Sequence, residues 1–212
     1  MDSLSKLTSG FRRFRDGSFR ERHADFEALV DQGQKPKVAI IACSDSRVDP
    51  AMVLQADPGD LFVVRNVANL VPPYEPDGQY HGTSAALEFA VRSLQVAHVI
   101  VLGHAHCGGI RSMFDEPDET DGGYQFVPPW MGLVRSAYLR VEGTMPDADV
   151  NEKARVCEQA AVLVSLENLM TFPSIRERVG DGQLRLHGWY IDIRAGALHL
   201  YDPTHQTFEP VD

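Results

Sequence analysis

Two short stretches hold the side chains best suited to chemistry: Cys43-Ser44-Asp45-Ser46-Arg47 and Gly103-His104-Ala105-His106-Cys107-Gly108-Gly109. Thiolate sulfur and neutral imidazole nitrogen are ligands that zinc favours. Two Cys and one His with a fourth position left open make a catalytic arrangement, whereas structural zinc sites are closed by four ligands, often as paired C-x2–4-C knuckles. This sequence has no such knuckles. One Cys at the end of a strand is commonly just a small buried hydrophobe. The conjunction of Cys, Asp, Arg, His, Cys and paired glycines in two clusters is what points to a site. A redox pair formed by Cys43 and Cys107 is the weaker alternative, because the adjacent His104 and glycines are better explained by coordination.

Both clusters follow apolar runs of strand length. Val38-Ala39-Ile40-Ile41-Ala42 precedes the first and His98-Val99-Ile100-Val101-Leu102 the second, and Leu61-Phe62-Val63-Val64 has the same character of a strand buried on both faces. Helical patterns lie between them. Asp49-Pro50 reads as an N-cap with Pro at the first helical position, and Thr83 to Leu94 puts Ala86, Leu87, Ala90, Val91 and Leu94 on one stripe. Alternating strands and helices predict an α/β fold, a mostly parallel central sheet flanked by helices. In such sheets sites form outside the carboxyl ends of strands, so clusters 64 residues apart in sequence can meet. A further helix opens at Asn151 and stops near Phe172-Pro173. Trp189 to Ile193 and Leu198 to Tyr201 flank a turn with Gly196, which predicts a C-terminal antiparallel hairpin or edge-strand extension. Asp115 to Pro129, rich in Asp, Glu, Pro and Gly, reads as a surface loop.

Composition narrows the function classes. The 212 residues suit one domain with an added arm, and 43% hydrophobic with 24% charged residues is a globular composition. A net charge of -10 is the wrong sign for neutralising phosphates, which argues against a nucleic-acid partner. No apolar run approaches the roughly 18 residues of a membrane span, so no membrane association is expected. Three Cys are too few for a disulfide framework. The N-terminal stretch carries Arg12, Arg13, Arg15, Arg20 and Arg22, but acidic residues interrupt it and it has no apolar segment of signal type, so a cytoplasmic location is expected. Residues 1–33 read as a helical arm, either solvated or packed on a partner subunit, and 34–212 as the zinc-binding α/β domain.

Cys43-x-Asp45-x-Arg47 with His104-x-x-Cys107-Gly108-Gly109, together with Arg65-Asn66-Val67-Ala68-Asn69 and His187-Gly188-Trp189, resembles the β-class carbonic anhydrases, in their plant-like branch. The likeness runs from Gln34 to Tyr201. It implies an enzyme whose basic unit is a homodimer, often assembled further, with N-terminal helices reaching across to the partner. It implies one Zn2+ per subunit on Cys43, His104 and Cys107, and reversible hydration of carbon dioxide to bicarbonate and a proton through a zinc-bound hydroxide. Asp45 and Arg47 become a catalytic dyad. Asp45 orients the nucleophile and is a conditional fourth ligand, and Arg47 restrains it through a bidentate pair that Lys would not reproduce. Two thiolates cancel the zinc charge, so the bound water is acidified less than by three neutral imidazoles, and activity is expected to rise into the alkaline range.

The same resemblance makes Phe62, Val67 and Phe89 the apolar wall for CO2. It makes Gln34 and the backbone N–H of Gly108 donors to substrate oxygens, with Gln34 approaching the zinc of the partner. His106 lies outside the ligand spacing and is expected at the mouth of the site. Ile40 and Ile191 stand where some bacterial members carry Trp and Tyr for an inhibitory bicarbonate pocket, so that pocket is expected to be missing. Cys157 is assigned to the core. Two other functions remain: a relative hydrolysing CS2 or COS with the same chemistry, and a structural or storage zinc closed by Asp45.

Overall fold

The computed structural model describes residues 2–115 and 123–211. In chain order the elements are α1 (Ser3–Asp16), α2 (Ser18–Glu21), α3 (His23–Gln32), β1 (Val38–Cys43), α4 (Pro50–Val53), β2 (Leu61–Asn66), α5 (Gly82–Glu88), β3 (His98–His104), α6 (Gly108–Arg111), α7 (Val127–Met131), α8 (Arg135–Thr144), α9 (Val150–Leu169), α10 (Pro173–Gly180), β4 (Arg185–Asp192), β5 (Ala197–Asp202) and β6 (Thr207–Pro210). The strands form one sheet in the order β2-β1-β3-β4-β5-β6. The first four run parallel, and β5 and β6 add an antiparallel edge. This is the expected α/β architecture.

The register decides where the chemistry sits. Val38 pairs with His98 and Ala42 with Leu102, so β1 and β3 end side by side and deliver Cys43 and His104 to the same edge. β2 lies on the other side of β1, which makes the carboxyl ends of β1 and β3 the point where strand order reverses and a crevice opens. Ala39 to Ala42 are fully buried, as a strand covered on both faces must be. β2 departs from the expectation of full burial. It is the outer strand of the single chain, and Val63 is 40% exposed.

Several local expectations are sharpened. Asp49 caps α4, its Oδ1 accepting from the N–H groups of Ala51 and Met52, with Pro50 at the first helical position. The stripe from Thr83 to Leu94 is interrupted: α5 widens after Glu88 into a π-helical turn over Phe89–Ser93, while Leu87, Ala90 and Val91 stay buried. α9 begins at Val150, one residue before the expected Asn151, because Asp149 supplies the cap. The predicted loop from Asp115 to Pro129 is corrected at its end. Val127–Met131 is a short helix started by prolines in its first turn, and 116–122 lie outside the described residues. β6 is an addition to the sequence expectation, since four residues ending in Pro carry too short an alternation to signal a strand.

α9 packs across β3 and β4, and Gly103 permits the contact. A Cβ there would stand 2.6 Å from Cγ2 of Val162. The N-terminal helices differ from this core in having no buried residue. Leu4 and Leu7 are each 69% exposed, and Phe11, Phe14, Phe19 and Phe26 form an aromatic cluster among themselves. Arg22 pairs with Asp57, and Leu29 packs on Gly59, so the arm is tied to the body near its base.

At the opposite edge of the sheet from Cys43 and His104, His98 Nδ1 and His187 Nε2 are 3.0 Å apart. Burial, and then His98 and Arg185, depress the His187 pKa. The unfolded chain therefore binds more protons than the folded one as pH falls through the ordinary histidine range, and stability is lost in that direction. The urea midpoint should fall between pH 7.5 and 5.5, and fall less in His187→Asn. An equal drop in both proteins would remove His187 as the source.

Candidate metal centre

Cys43 is the last residue of β1, His104 the last of β3, and Cys107 stands immediately before α6. All three are buried. The two Sγ atoms are 4.0 Å apart, and the sulfurs and a ring nitrogen of His104 lie within 4.8 Å of one another. Two zinc–sulfur bonds of ~2.3 Å at a tetrahedral angle would place sulfurs about 3.8 Å apart. His104 Nδ1 is 2.9 Å from the carbonyl oxygen of Ala105, which can only accept, so Nδ1 carries the proton. Nε2 is then left with its lone pair, fully buried and without a hydrogen-bond partner among the described residues. A buried ring nitrogen without a partner is costly unless something binds it. This donor set fits a divalent ion of zinc's preferences.

The electrostatics favour a charged cluster. The Cys43 thiol pKa is lowered, first by its hydrogen bond with Cys107, then by His104 and the N–H of Asp45, against burial. The same contact with Cys43, with burial, raises the Cys107 thiol. Burial acts to lower the His104 pKa, but the neighbouring Cys43 sulfur outweighs it and raises it.

Beside the cluster, Asp45 and Arg47 form a fork. Arg47 Nε donates to Asp45 Oδ1 at 2.9 Å and Nη2 to Oδ2 at 2.6 Å, while the backbone N–H of Arg47 also donates to Oδ1 at 2.9 Å. Both carboxylate oxygens are engaged, and the carboxyl is held well below the usual range, chiefly by the Arg47 hydrogen bond. Nη2 donates in addition to the carbonyl oxygen of His106 at 2.9 Å. His106 adopts φ +58°, an uncommon backbone for a side-chain-bearing residue.

Other residues hold the site in ways their motif spacing did not disclose. Arg65 donates to the carbonyls of Cys43 and Asp45 at 2.9 and 2.6 Å and to Asp49 at 2.9 Å, so one guanidinium pins the loop after β1. Asn66 brackets Leu70, accepting from its N–H and donating to its carbonyl. Glu158, from α9, accepts from the N–H of Cys107, and Tyr190, from β4, donates to Glu158. The one sign of Glu158 in the sequence is an acid on the stripe of Ala154, Ala161 and Ser165, which are buried positions of the helix.

The expected pocket residues are distributed. Phe62 and Phe89 pair with ring centroids 5.9 Å apart, Phe89 being carried at the start of the π-helical turn. Val67 touches Gly109 and forms one wall of an apolar cleft of about 640 Å³ shared with Tyr80, Phe126, Trp130 and Leu133; the three sulfur and imidazole residues do not line it. Gly108 is exposed at the start of α6. Gln34 is exposed in the segment before β1, and its expected place against a partner subunit is a matter of the assembly, not of one chain. Ile40 and Ile191 belong to one apolar cluster with Trp189. Cys157 is fully buried, and burial pushes its thiol up to about 12.

The sequence profile of the family described as Carbonic anhydrase matches residues 38–198. Beta carbonic anhydrase 3 of Arabidopsis thaliana is 33% identical over 203 residues, covering 95% of this chain and 78% of that protein. Among solved structures, the β-carbonic anhydrase CcaA superposes with a TM-score of 0.86 at 33% identity, covering 99% of this chain and 92% of that one. A tetrameric β-carbonic anhydrase from Sordaria macrospora superposes with a TM-score of 0.82 at 28% identity, covering 94% and 97%. With Cys43 and His104 at strand ends and Cys107 before the following helix, in the same fold as these relatives, the chain belongs to the β-carbonic anhydrase family.

Proposed function

We propose that this protein is a zinc enzyme that reversibly hydrates carbon dioxide to bicarbonate and a proton, with Cys43, His104 and Cys107 holding one Zn2+ per subunit. The observation that carries the reading is the partnerless, buried Nε2 of His104 converging on two sulfurs beside a carboxylate gripped on both oxygens. Zinc bound there supplies Lewis acidity, which moves the pKa of water toward neutrality.

The chain's own residues supply the rest. Asp45, kept ionised and acceptor-only by Arg47, takes a hydrogen bond from a water beside the cluster and so fixes its orientation toward substrate. Arg47 keeps Asp45 from becoming the fourth ligand, a role that Asp45 takes only when that grip is released. Phe62, Val67 and Phe89 offer CO2 an apolar surface, and the N–H of Gly108 and the carboxamide of Gln34, which reaches across to the site of the partner subunit, are donors for its oxygens. Residues 34–212 form the catalytic domain. Residues 1–33 form an arm whose exposed Leu4, Leu7 and Phe11 need a second subunit to cover them, which supports a homodimer or higher homo-oligomer. Among the described residues no helix is long and apolar enough to cross a membrane. Three free thiols suit a reducing compartment, the cytoplasm.

The test is stopped-flow CO2 hydration with metal analysis. One zinc per chain is expected, with activity lost on chelation and regained with zinc. Turnover of CS2 or COS in place of CO2, or zinc without any turnover, would overturn the reading. His106→Ala should keep its full zinc content, because the side chain lies outside the ligand cluster; loss of zinc from that variant would show the imidazole assignment to be wrong.

A further inference from the structure

We propose that Glu158, braced by Tyr190, is a positioning residue for the metal centre, setting the direction of the Cys107 ligand through its backbone. The inference rests on the zinc reading above. Glu158 is 4% exposed on the stripe of the helix that it shares with Ala154, Ala161, Val162 and Ser165, where an acidic side chain is costly unless its oxygens are filled. Both are filled. Oε1 accepts from the N–H of Cys107 at 2.9 Å, and Oε2 accepts from the hydroxyl of Tyr190 at 2.7 Å.

The bond to Cys107 completes a three-point hold on the loop between β3 and α6. The N–H of Ala105 donates to the carbonyl of Ile191 at 2.9 Å, the carbonyl of His106 accepts from Arg47, and the N–H of Cys107 donates to Glu158. Each tether acts on a different residue and comes from a different element, so the loop cannot pivot about any one of them. The Cys107 tether is the one that acts on a ligand residue itself: rotation of its peptide plane swings Cα–Cβ, and with it Sγ, away from Cys43 and His104. Tyr190 limits where the Glu158 carboxylate can stand, and α9 packs against both β3 and β4, so the bracket is carried by rigid elements. Partners of this kind behind metal ligands typically govern affinity by about 10–100-fold.

The experiment compares wild type with Glu158→Ala, Glu158→Gln and Tyr190→Phe. It measures zinc stoichiometry, the rate of zinc loss to excess chromophoric chelator, the visible spectrum of the Co2+-substituted proteins, and the melting temperature of the zinc-free proteins. Glu158→Ala should lose zinc about 10–100 times faster and shift the Co2+ bands. Glu158→Gln keeps an acceptor for Cys107 and should stay within a few-fold of wild type, and Tyr190→Phe should fall between. A purely structural role predicts lower melting temperatures with unchanged zinc loss and unchanged Co2+ bands, and that result overturns the proposal. So does Glu158→Gln behaving as badly as Glu158→Ala. If Glu158→Ala does not fold, Tyr190→Phe and Glu158→Gln decide by the same readouts. Wild-type protein that takes up no zinc would sink the proposed function instead, a failure distinct from normal zinc uptake with indifferent variants.

Discussion

Cys107→Ala protein will purify with less than about a tenth of a zinc per chain and will hydrate CO2 at least about a thousandfold more slowly than wild type. The reason is the small number of donors. Among the described residues the candidate cluster has three members, Cys43, His104 and Cys107, and the carboxylates beside it are committed elsewhere, Asp45 with both oxygens on Arg47 and Glu158 with its oxygens on the N–H of Cys107 and the hydroxyl of Tyr190. Removing one sulfur leaves two donors, and neither of these carboxylates has an oxygen free to replace it. Cys157→Ala is the matching control. Its thiol is equally buried and belongs to the same apolar cluster as Cys43 and Cys107, so the substitution removes a similar volume from the core. It should cost some stability and leave zinc and turnover intact. Metal analysis with stopped-flow rates on the two variants separates ligation from packing, and equal zinc content in both would refute the assignment of Cys107.

Arg47→Lys will keep its zinc and still lose turnover on the order of 100-fold, the size of effect seen when an oriented donor is removed from an active site. Arg47 uses two nitrogens on the two oxygens of Asp45 and reaches the carbonyl of His106 with one of them, a planar arrangement that an ammonium cannot copy. With Lys, one carboxylate oxygen is released beside the cluster of Cys43, His104 and Cys107. The carboxylate then loses its fixed aim and is free to take the position that water needs. The His106 carbonyl also loses its donor, although its backbone is held in a left-handed conformation that points toward Arg47. Full turnover in Arg47→Lys would show that only the positive charge matters. Loss of zinc along with turnover would show that the fork supports the ligands themselves.

Much of this is legible in the amino-acid sequence. Val38 to Ala42 and His98 to Leu102 are continuous apolar runs, and such runs have few uses other than buried parallel strands. The residues that follow them inevitably emerge at strand ends, which is why Cys43 and His104 could be placed. The cap at Asp49 and the core position of Cys157 are equally local or compositional, and they stand as expected. The elements that depart from the sequence expectation share a different character. The π-helical turn at Phe89–Ser93 leaves the apolar stripe almost unchanged, and β2 reads as buried because its sequence carries no sign that it is an outer strand of the single chain. Val127–Met131 hid among prolines and glycines that usually mark loops.

The amino-acid sequence on its own determined the alternation of strands and helices, the thiol and imidazole donors, and the pairing of Asp45 with Arg47, two residues apart on one turn. Tertiary structure alone decided that Cys43 and Cys107 lie 4.0 Å apart, that Nε2 of His104 is the nitrogen left over, and that Glu158, Tyr190, Arg65 and the His106 carbonyl hold these groups in place. The division follows the range of the forces involved. Hydrophobic periodicity and turn chemistry act over a few residues and can be read along the chain. A hydrogen bond from Cys107 to Glu158 joins residues 51 apart, and it exists because strand register and helix packing bring one buried acceptor to one buried donor.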